Sequence, residues 1–199
     1  MKMNNTNTIH RPVFPVTFRL IVLFILFSTA VDPISFSPKA AETPNLEEKT
    51  KAAFIYHFTK YIKWPRSDAS ATFNIGVLGE SNIVGPLEEI SNLKKVGNRR
   101  IVIHQLDSVQ QCGPCHILFI ADPDEKYFDS IRSRLKDAPT LIITAVTGFA
   151  EKGSCINFIT RKGKLRFEIN MKALKNTGLT ASSQLLKLAV IVNGEEKDE

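Results

Sequence analysis

Between Asn45 and Pro65 the chain places large apolar side chains at helical spacing, with Phe54, Phe58, Tyr61 and Ile62 in one stripe and Ala52, Ile55 and Thr59 beside it. Asn45 followed three residues later by Glu48 has the form of a capping box, and Pro65 pushes Trp64 out of the helical region. The spacing predicts a helix of about five turns. Its apolar arc is wider than the roughly 100° stripe of a helix with one buried face. Either a core surrounds this helix, or it completes a homodimer seam, or a second protein covers what the core leaves. Phe54, Phe58, Tyr61 and Trp64 are therefore the candidate partner-contact residues.

Further along, short runs rich in Ile and Val alternate with longer helical patterns. Phe73–Leu78, Arg100–Leu106, His116–Ala121 and Leu141–Val146 read as strands, and the segments near Ile83–Leu93 and Glu125–Lys136 read as helices. Two more runs, Cys155–Thr160 and Leu165–Ile169, flank Arg161-Lys162-Gly163-Lys164 and read as an antiparallel hairpin. Asn170 is placed to cap a short helix over Met171–Asn176 that Gly178 ends, and Ser182 or Ser183 to begin a last helix through Leu185, Leu186 and Leu188. The alternation predicts an α/β fold: a mixed, mostly parallel sheet with helices on both faces and a C-terminal β-hairpin. The expected organisation is a single domain over 45–192 and a disordered tail over 193–199, with no internal repeat.

The first residues change the picture of where this domain works. Lys2, Arg11 and Arg19 precede the apolar run Leu20–Phe27, which is followed by the small residues Ser28-Thr29-Ala30 in a stretch without charge up to Val31. That order is a secretory signal peptide, expected to occupy residues 1–41 with cleavage after Ala30 or as late as Ala41. The apolar run is shorter than the roughly 20 residues that span a bilayer, so no membrane anchor is expected after cleavage. Without residues 1–41, 22 basic and 19 acidic residues remain, a net charge of about +3 with no long run of one sign. Such a balance gives no footprint for nucleic acid.

Candidate chemistry centres on Cys112-Gly113-Pro114-Cys115-His116. Cys-Gly-Pro-Cys is the spacing of a thiol-disulfide oxidoreductase, but that chemistry needs the first thiol at a helix N-terminus, where the dipole favours thiolate. Here the motif runs into an apparent strand. Read as Cys-x-x-Cys-His it could attach haem, which needs a wide apolar cavity and a helical attachment loop. As a structural set, Cys112, Cys115 and Cys155 are candidates for a disulfide in an oxidising compartment, and a bridge to Cys155 would close a loop of about forty residues. No Gly-x-Ser-x-Gly, Walker-type loop or His-Glu-x-x-His occurs, so neither a catalytic residue nor a metal or cofactor is assigned. In a mostly parallel sheet, the loops after the strands would gather Gly79, Glu80, Ser81, Asp122, Gly148 and Phe149 into a candidate ligand crevice. A small-ligand-binding module is the reading that follows from it.

One set of segments carries a resemblance. Lys51-Ala52-Ala53-Phe54-Ile55-Tyr56 with Lys60-Tyr61, Trp64 and Pro65, then Phe73–Gly79, Cys115–Ile120, Gly148-Phe149-Ala150, Ile156-Asn157-Phe158 and Arg166–Asn170 resemble the YfiR family of exported bacterial proteins, collinearly over about residues 47–192. The resemblance implies a non-enzymatic periplasmic repressor. Such a protein binds the periplasmic part of an inner-membrane diguanylate cyclase, lowers cyclic-di-GMP and responds to envelope or redox stress. It also implies disulfides that tie the fold together. A homodimer is expected, and the aromatic residues of the first helix become the expected contact with the membrane partner.

Overall fold

The computed structural model describes residues 46–65, 71–111, 115–123, 125–136 and 138–192, within the compact unit Thr43–Glu199. The expected leader, Asn45, Cys112 and the tail from Asn193 lie outside the described residues. The chain runs α1 (Leu46–Tyr61), β1 (Ile62–Lys63), β2 (Thr72–Leu78), α2 (Val84–Leu93), β3 (Lys95–Val96) and β4 (Arg99–Leu106). After a 3₁₀ turn come β5 (Ile117–Ile120), α3 (Glu125–Arg134), β6 (Leu141–Thr144), β7 (Ile156–Arg161) and β8 (Lys164–Asn170). The last elements are α4 (Met171–Asn176), β9 (Thr180–Ala181), α5 (Ser183–Leu186) and β10 (Val190–Val192).

Eight strands form one sheet in the order β10-β8-β7-β6-β5-β2-β4-β3. All pairs are parallel except β3 with β4 and β7 with β8. Every residue of β5 and β6 is buried. A strand buried on both faces must be covered on both faces, which is why these runs read as continuously apolar rather than alternating. Helices thus cover both faces, as the alternation of elements predicts. The hairpin between β7 and β8 is closed by two residues, Lys162 and Gly163, with φ of 50° and 69°. Positive φ at both positions is the type I′ geometry whose twist matches the flanking strands, and glycine at the second position makes it accessible.

Local capping follows the expectation. Asn170 Oδ1 accepts from the backbone N–H of Ala173 at 2.8 Å, and Ser182 Oγ accepts from Leu185 N–H at 3.3 Å. Three differences have a common cause in pairing between distant segments. The first helix stops at Tyr61 rather than running on to Trp64, because Ile62 and Lys63 pair with Ala181 and Thr180 in a separate two-stranded ribbon. The last helix is a single turn. Its sequel, β10, pairs in parallel with Glu168–Asn170 and becomes an edge of the main sheet.

Candidate functional site

Helix α1 lays its apolar stripe on the face of the sheet that carries Phe158 and Phe167, which are opposite each other in the β7–β8 register. Ala52, Ile55 and Phe58 are fully enclosed there. The Phe58 ring meets Phe167 edge-on at 5.1 Å and Phe158 at 6.0 Å, while Phe54 reaches the same two rings at 5.7 and 6.2 Å. Of the four candidate contact residues, Phe58 belongs to the core and presents no surface. Phe54, Tyr61 and Trp64 are half-buried against that core. The arc is wide because α1 packs on these sheet aromatics and also meets α2 and α5. At its N-terminal end Lys51 is buried between Glu47 and Glu48, at 2.9 and 2.8 Å. Burial alone would lower its pKa, but the two carboxylates outweigh that and hold it above the ordinary lysine value.

Beyond α1, Trp64 is tied to the start of β5. Its Nε1–H donates to the carbonyl of His116 at 3.3 Å, and its ring meets Phe73 edge-on at 5.2 Å. His116 is buried, stacks on Phe73 at 4.3 Å and accepts at Nδ1 from the backbone N–H of Asn74 at 2.9 Å. Its Nε2 lies 3.1 Å from Arg99 Nη1. Nδ1 is taken by the Asn74 N–H, so in the neutral ring Nε2 carries the proton and faces another donor in Arg99, and His116 is anchored to β2 by that backbone bond and by its stack on Phe73.

Cys115 stands immediately before His116 and β5, beside Gly76 of β2. That is a strand start; the thiol that would have to be the low-pKa thiolate, Cys112, lies outside the described residues. Cys155 sits before β7 with a free thiol. Cys115 abuts β6 through Thr140, whose Oγ1 donates to the Cys115 carbonyl, and Cys155 N–H donates to Ile142 on the far side of the same strand. With β6 between them, the two cysteines are two strand spacings apart, about 9.5 Å, beyond the roughly 7 Å that a disulfide tolerates. The candidate bridge between Cys115 and Cys155 is therefore excluded by strand order. Burial pushes the Cys155 thiol up to about 11.

The loops named for a ligand crevice do converge in part. Gly79 N–H donates to Leu106 and Ala121 N–H to Leu78, which brings the turns after β2, β4 and β5 to one edge. Glu80 and Asp122 are exposed there, and Ser81 Oγ accepts from Ile83 N–H at 3.3 Å. Phe149 is not available to a ligand. It is buried and packs edge-on against Phe128 at 5.1 Å, with Gly148 turning the chain before it. None of the six named residues lines the cavity of about 820 Å³ that lies on the α3 side of the sheet.

Two features escaped the sequence reading. Thr144, Asn157 and Glu168 form a polar ladder across β6, β7 and β8: Thr144 Oγ1 donates to Asn157 Oδ1 at 2.7 Å, and Asn157 Nδ2 donates to Glu168 Oε2 at 3.0 Å. The asparagine in Ile156-Asn157-Phe158 and the glutamate in Arg166–Asn170 are thus explained as a cross-strand bond within the core. The second feature is the exposed apolar set. Among the described residues, Leu46, Leu93, Leu188 and Ile191 are the large aliphatic side chains most open to solvent; Ile191 is the middle residue of β10 and Leu188 lies just before it. Isolated exposed leucines need no explanation, but two beside an unpaired sheet edge make a candidate contact surface.

Comparison with known proteins gives one strong result. A family model described as YfiR/HmsC-like matches residues 48–190. No curated protein matches. Among solved structures, an ABC domain in complex with L-Trp from Streptococcus pneumoniae aligns with a TM-score of 0.48 at 14% identity, over 73% of this chain and 60% of that one. A conserved domain protein from Vibrio cholerae O1 biovar El Tor aligns with a TM-score of 0.46 at 14% identity, over 72% and 59%. The chain spans about 60% of the length of these structures.

Proposed function

The chain belongs to the YfiR/HmsC-like family, and from that premise we propose that it is a periplasmic regulator that binds an inner-membrane diguanylate cyclase and restrains it, lowering cyclic-di-GMP. The single observation that carries this reading is the family match across nearly all of the described residues. The physical requirement is a rigid body with a sticky edge. A sheet sealed by helices on both faces supplies the rigidity. For the edge we assign Tyr61 and Trp64 together with Leu188 and Ile191. Ser182 N–H donates to the Tyr61 carbonyl and α5 contacts α1, so the end of α1 and the approach to β10 are neighbours. Partly exposed aromatic and aliphatic side chains of this kind are the usual anchors of an interface, each worth roughly 1.5–3 kcal/mol when covered.

No helix among the described residues is long and apolar enough to cross a membrane, so the contact with the cyclase is assigned to the cyclase's periplasmic part. A homodimer using the same edge is the companion proposal. The test is genetic and biochemical. Deleting the gene should raise cellular cyclic-di-GMP, and the tagged protein should retain a diguanylate cyclase from detergent-solubilised inner membranes. Unchanged cyclic-di-GMP in the deletion strain, with no cyclase retained, would overturn the reading.

The alternative of a periplasmic thiol-disulfide oxidoreductase at Cys112 and Cys115 has less support, since Cys115 leads into a strand. Insulin reduction at a rate comparable to thioredoxin, abolished by Cys115→Ser, would favour it.

A further inference from the structure

On the face of the sheet opposite α1, a cavity of about 820 Å³ lies between α3, the turn at residues 151–153 and α4. Its lining is unusual in charge. Arg132, Lys136, Lys152 and Lys172 border it, against two carboxylates, Asp129 and Glu151, which leaves a surplus of two positive charges. These cations come from three separate segments and converge only on folding. A concave site with a surplus of one sign above a low-dielectric floor draws in counter-ions.

Arg132 lies across the turn at Gly153. A Cβ at Gly153 would lie 2.8 Å from its Nε and 2.9 Å from its Cζ, so only glycine lets the guanidinium lie across this turn. Gly153 also holds φ of 110°, a conformation that side-chain-bearing residues rarely adopt. The guanidinium carbon stands 6.0 Å from the Phe128 ring centroid, and Nη1 keeps only a long 3.4 Å contact with Asp129. The Arg132 side chain is 45% exposed, so its planar fork stands at the rim of the cavity, open to an oxyanion. The floor is apolar: Phe128, Leu135 and Ile142 are buried there, and the neutral thiol of Cys155 adds no opposing charge.

We propose that this cavity binds a small phosphomonoester with an apolar body, its phosphate held by Arg132 with Lys136, Lys152 and Lys172, and its body seated on Phe128, Leu135 and Ile142. A phosphomonoester carries about −1.5 to −2 at neutral pH, which matches the surplus of the lining. Arginine forks recognise phosphate through paired N–H donors, while the lysines act as point charges. The site is separate from the edge assigned to the membrane partner, and its test does not depend on that assignment.

Titration calorimetry on the purified protein at low ionic strength, with phenyl phosphate as the probe, is the direct experiment. Phenyl phosphate should bind more tightly than inorganic phosphate, benzyl alcohol should not bind, and added salt should weaken the phosphate-bearing probes. Arg132→Gln and Lys172→Gln should each weaken phenyl phosphate about tenfold, roughly 1.4 kcal/mol, with the melting temperature of the unliganded protein unchanged. Lys172 is exposed on α4, so that variant keeps the test valid even if Arg132→Gln folds poorly. Lys95→Gln, on the far edge strand β3, should leave binding intact. The proposal is overturned if millimolar phenyl phosphate gives no heat, if inorganic phosphate binds as well as phenyl phosphate, or if Lys95→Gln weakens binding as much as Lys172→Gln.

Discussion

Helix α1 and the segment from α5 through β10 are both rich in large apolar side chains, and they dispose of them in opposite ways. On α1 the stripe faces a broad sheet surface whose own aromatics, Phe158 and Phe167, rise to meet it, so Phe58 is sealed and Phe54 is clamped against the same rings. Among the described residues β10 pairs only with β8, which leaves its other side an edge, and Ile191 and nearby Leu188 are 47% and 65% exposed. Hydrophobic density along the chain is therefore a poor guide to stickiness. What matters is whether the fold offers a matching surface, and an edge strand has nothing beside it unless a partner brings it.

This contrast can be broken most sharply at Phe58. Phe58→Ala should cost about 3–5 kcal/mol in urea unfolding, as for other large core truncations; a loss below about 1 kcal/mol would mean that α1 packs loosely and is itself the sticky element. Trp64→Leu removes the bond to the His116 carbonyl and the edge contact with Phe73. It should cost about 1–2 kcal/mol, and a neutral result would move Trp64 from the anchor of β5 to the surface. At the other pole, Leu188→Ser and Ile191→Ser should change stability by no more than about 0.5 kcal/mol while reducing retention of the membrane partner. Loss of stability without loss of retention would reverse their assignment.

Cys155 serves as an interior marker for the comparison. Its pKa of about 11 lies above the ordinary thiol value of 9.0, so the folded state holds its proton to higher pH than the unfolded state does. The contribution to stability is complete below pH 9.0 and declines as the pH rises through about 11. In a Cys112→Ser, Cys115→Ser background, iodoacetamide at neutral pH should label Cys155 only after urea unfolding. Rapid labelling of the native protein would show that the α3 side of the core is open.

Much of this architecture was legible in the sequence because it is set locally. The runs of β2, β4, β5 and β6, the Lys162-Gly163 turn and the Asn170 cap each carry their own signal in neighbouring residues. What escaped is fixed by distant partners. The β1–β9 ribbon and β10 are two or three residues long, too short for periodicity to show, and exist because the fold brings their mates alongside. The strand order β5-β6-β7, which separates Cys115 from Cys155, is not written in either cysteine's neighbourhood. The same holds for the cavity, whose cations at 132, 136, 152 and 172 look like ordinary surface charges until α3, the 151–153 turn and α4 meet. Of the four aromatic candidates, Phe58 is enclosed by the core while Phe54, Tyr61 and Trp64 keep part of their surface open, since an apolar arc records what must be covered and not by whom.

The most direct test of the central claim is capture of a diguanylate cyclase from solubilised inner membranes by the tagged protein, wild type beside a Leu188→Ser, Ile191→Ser double variant of equal melting temperature. The account predicts that the wild type retains the cyclase and that the double variant loses most of it. Equal retention by both proteins would contradict the assignment of the C-terminal edge, and no retention by either would contradict the proposed function itself.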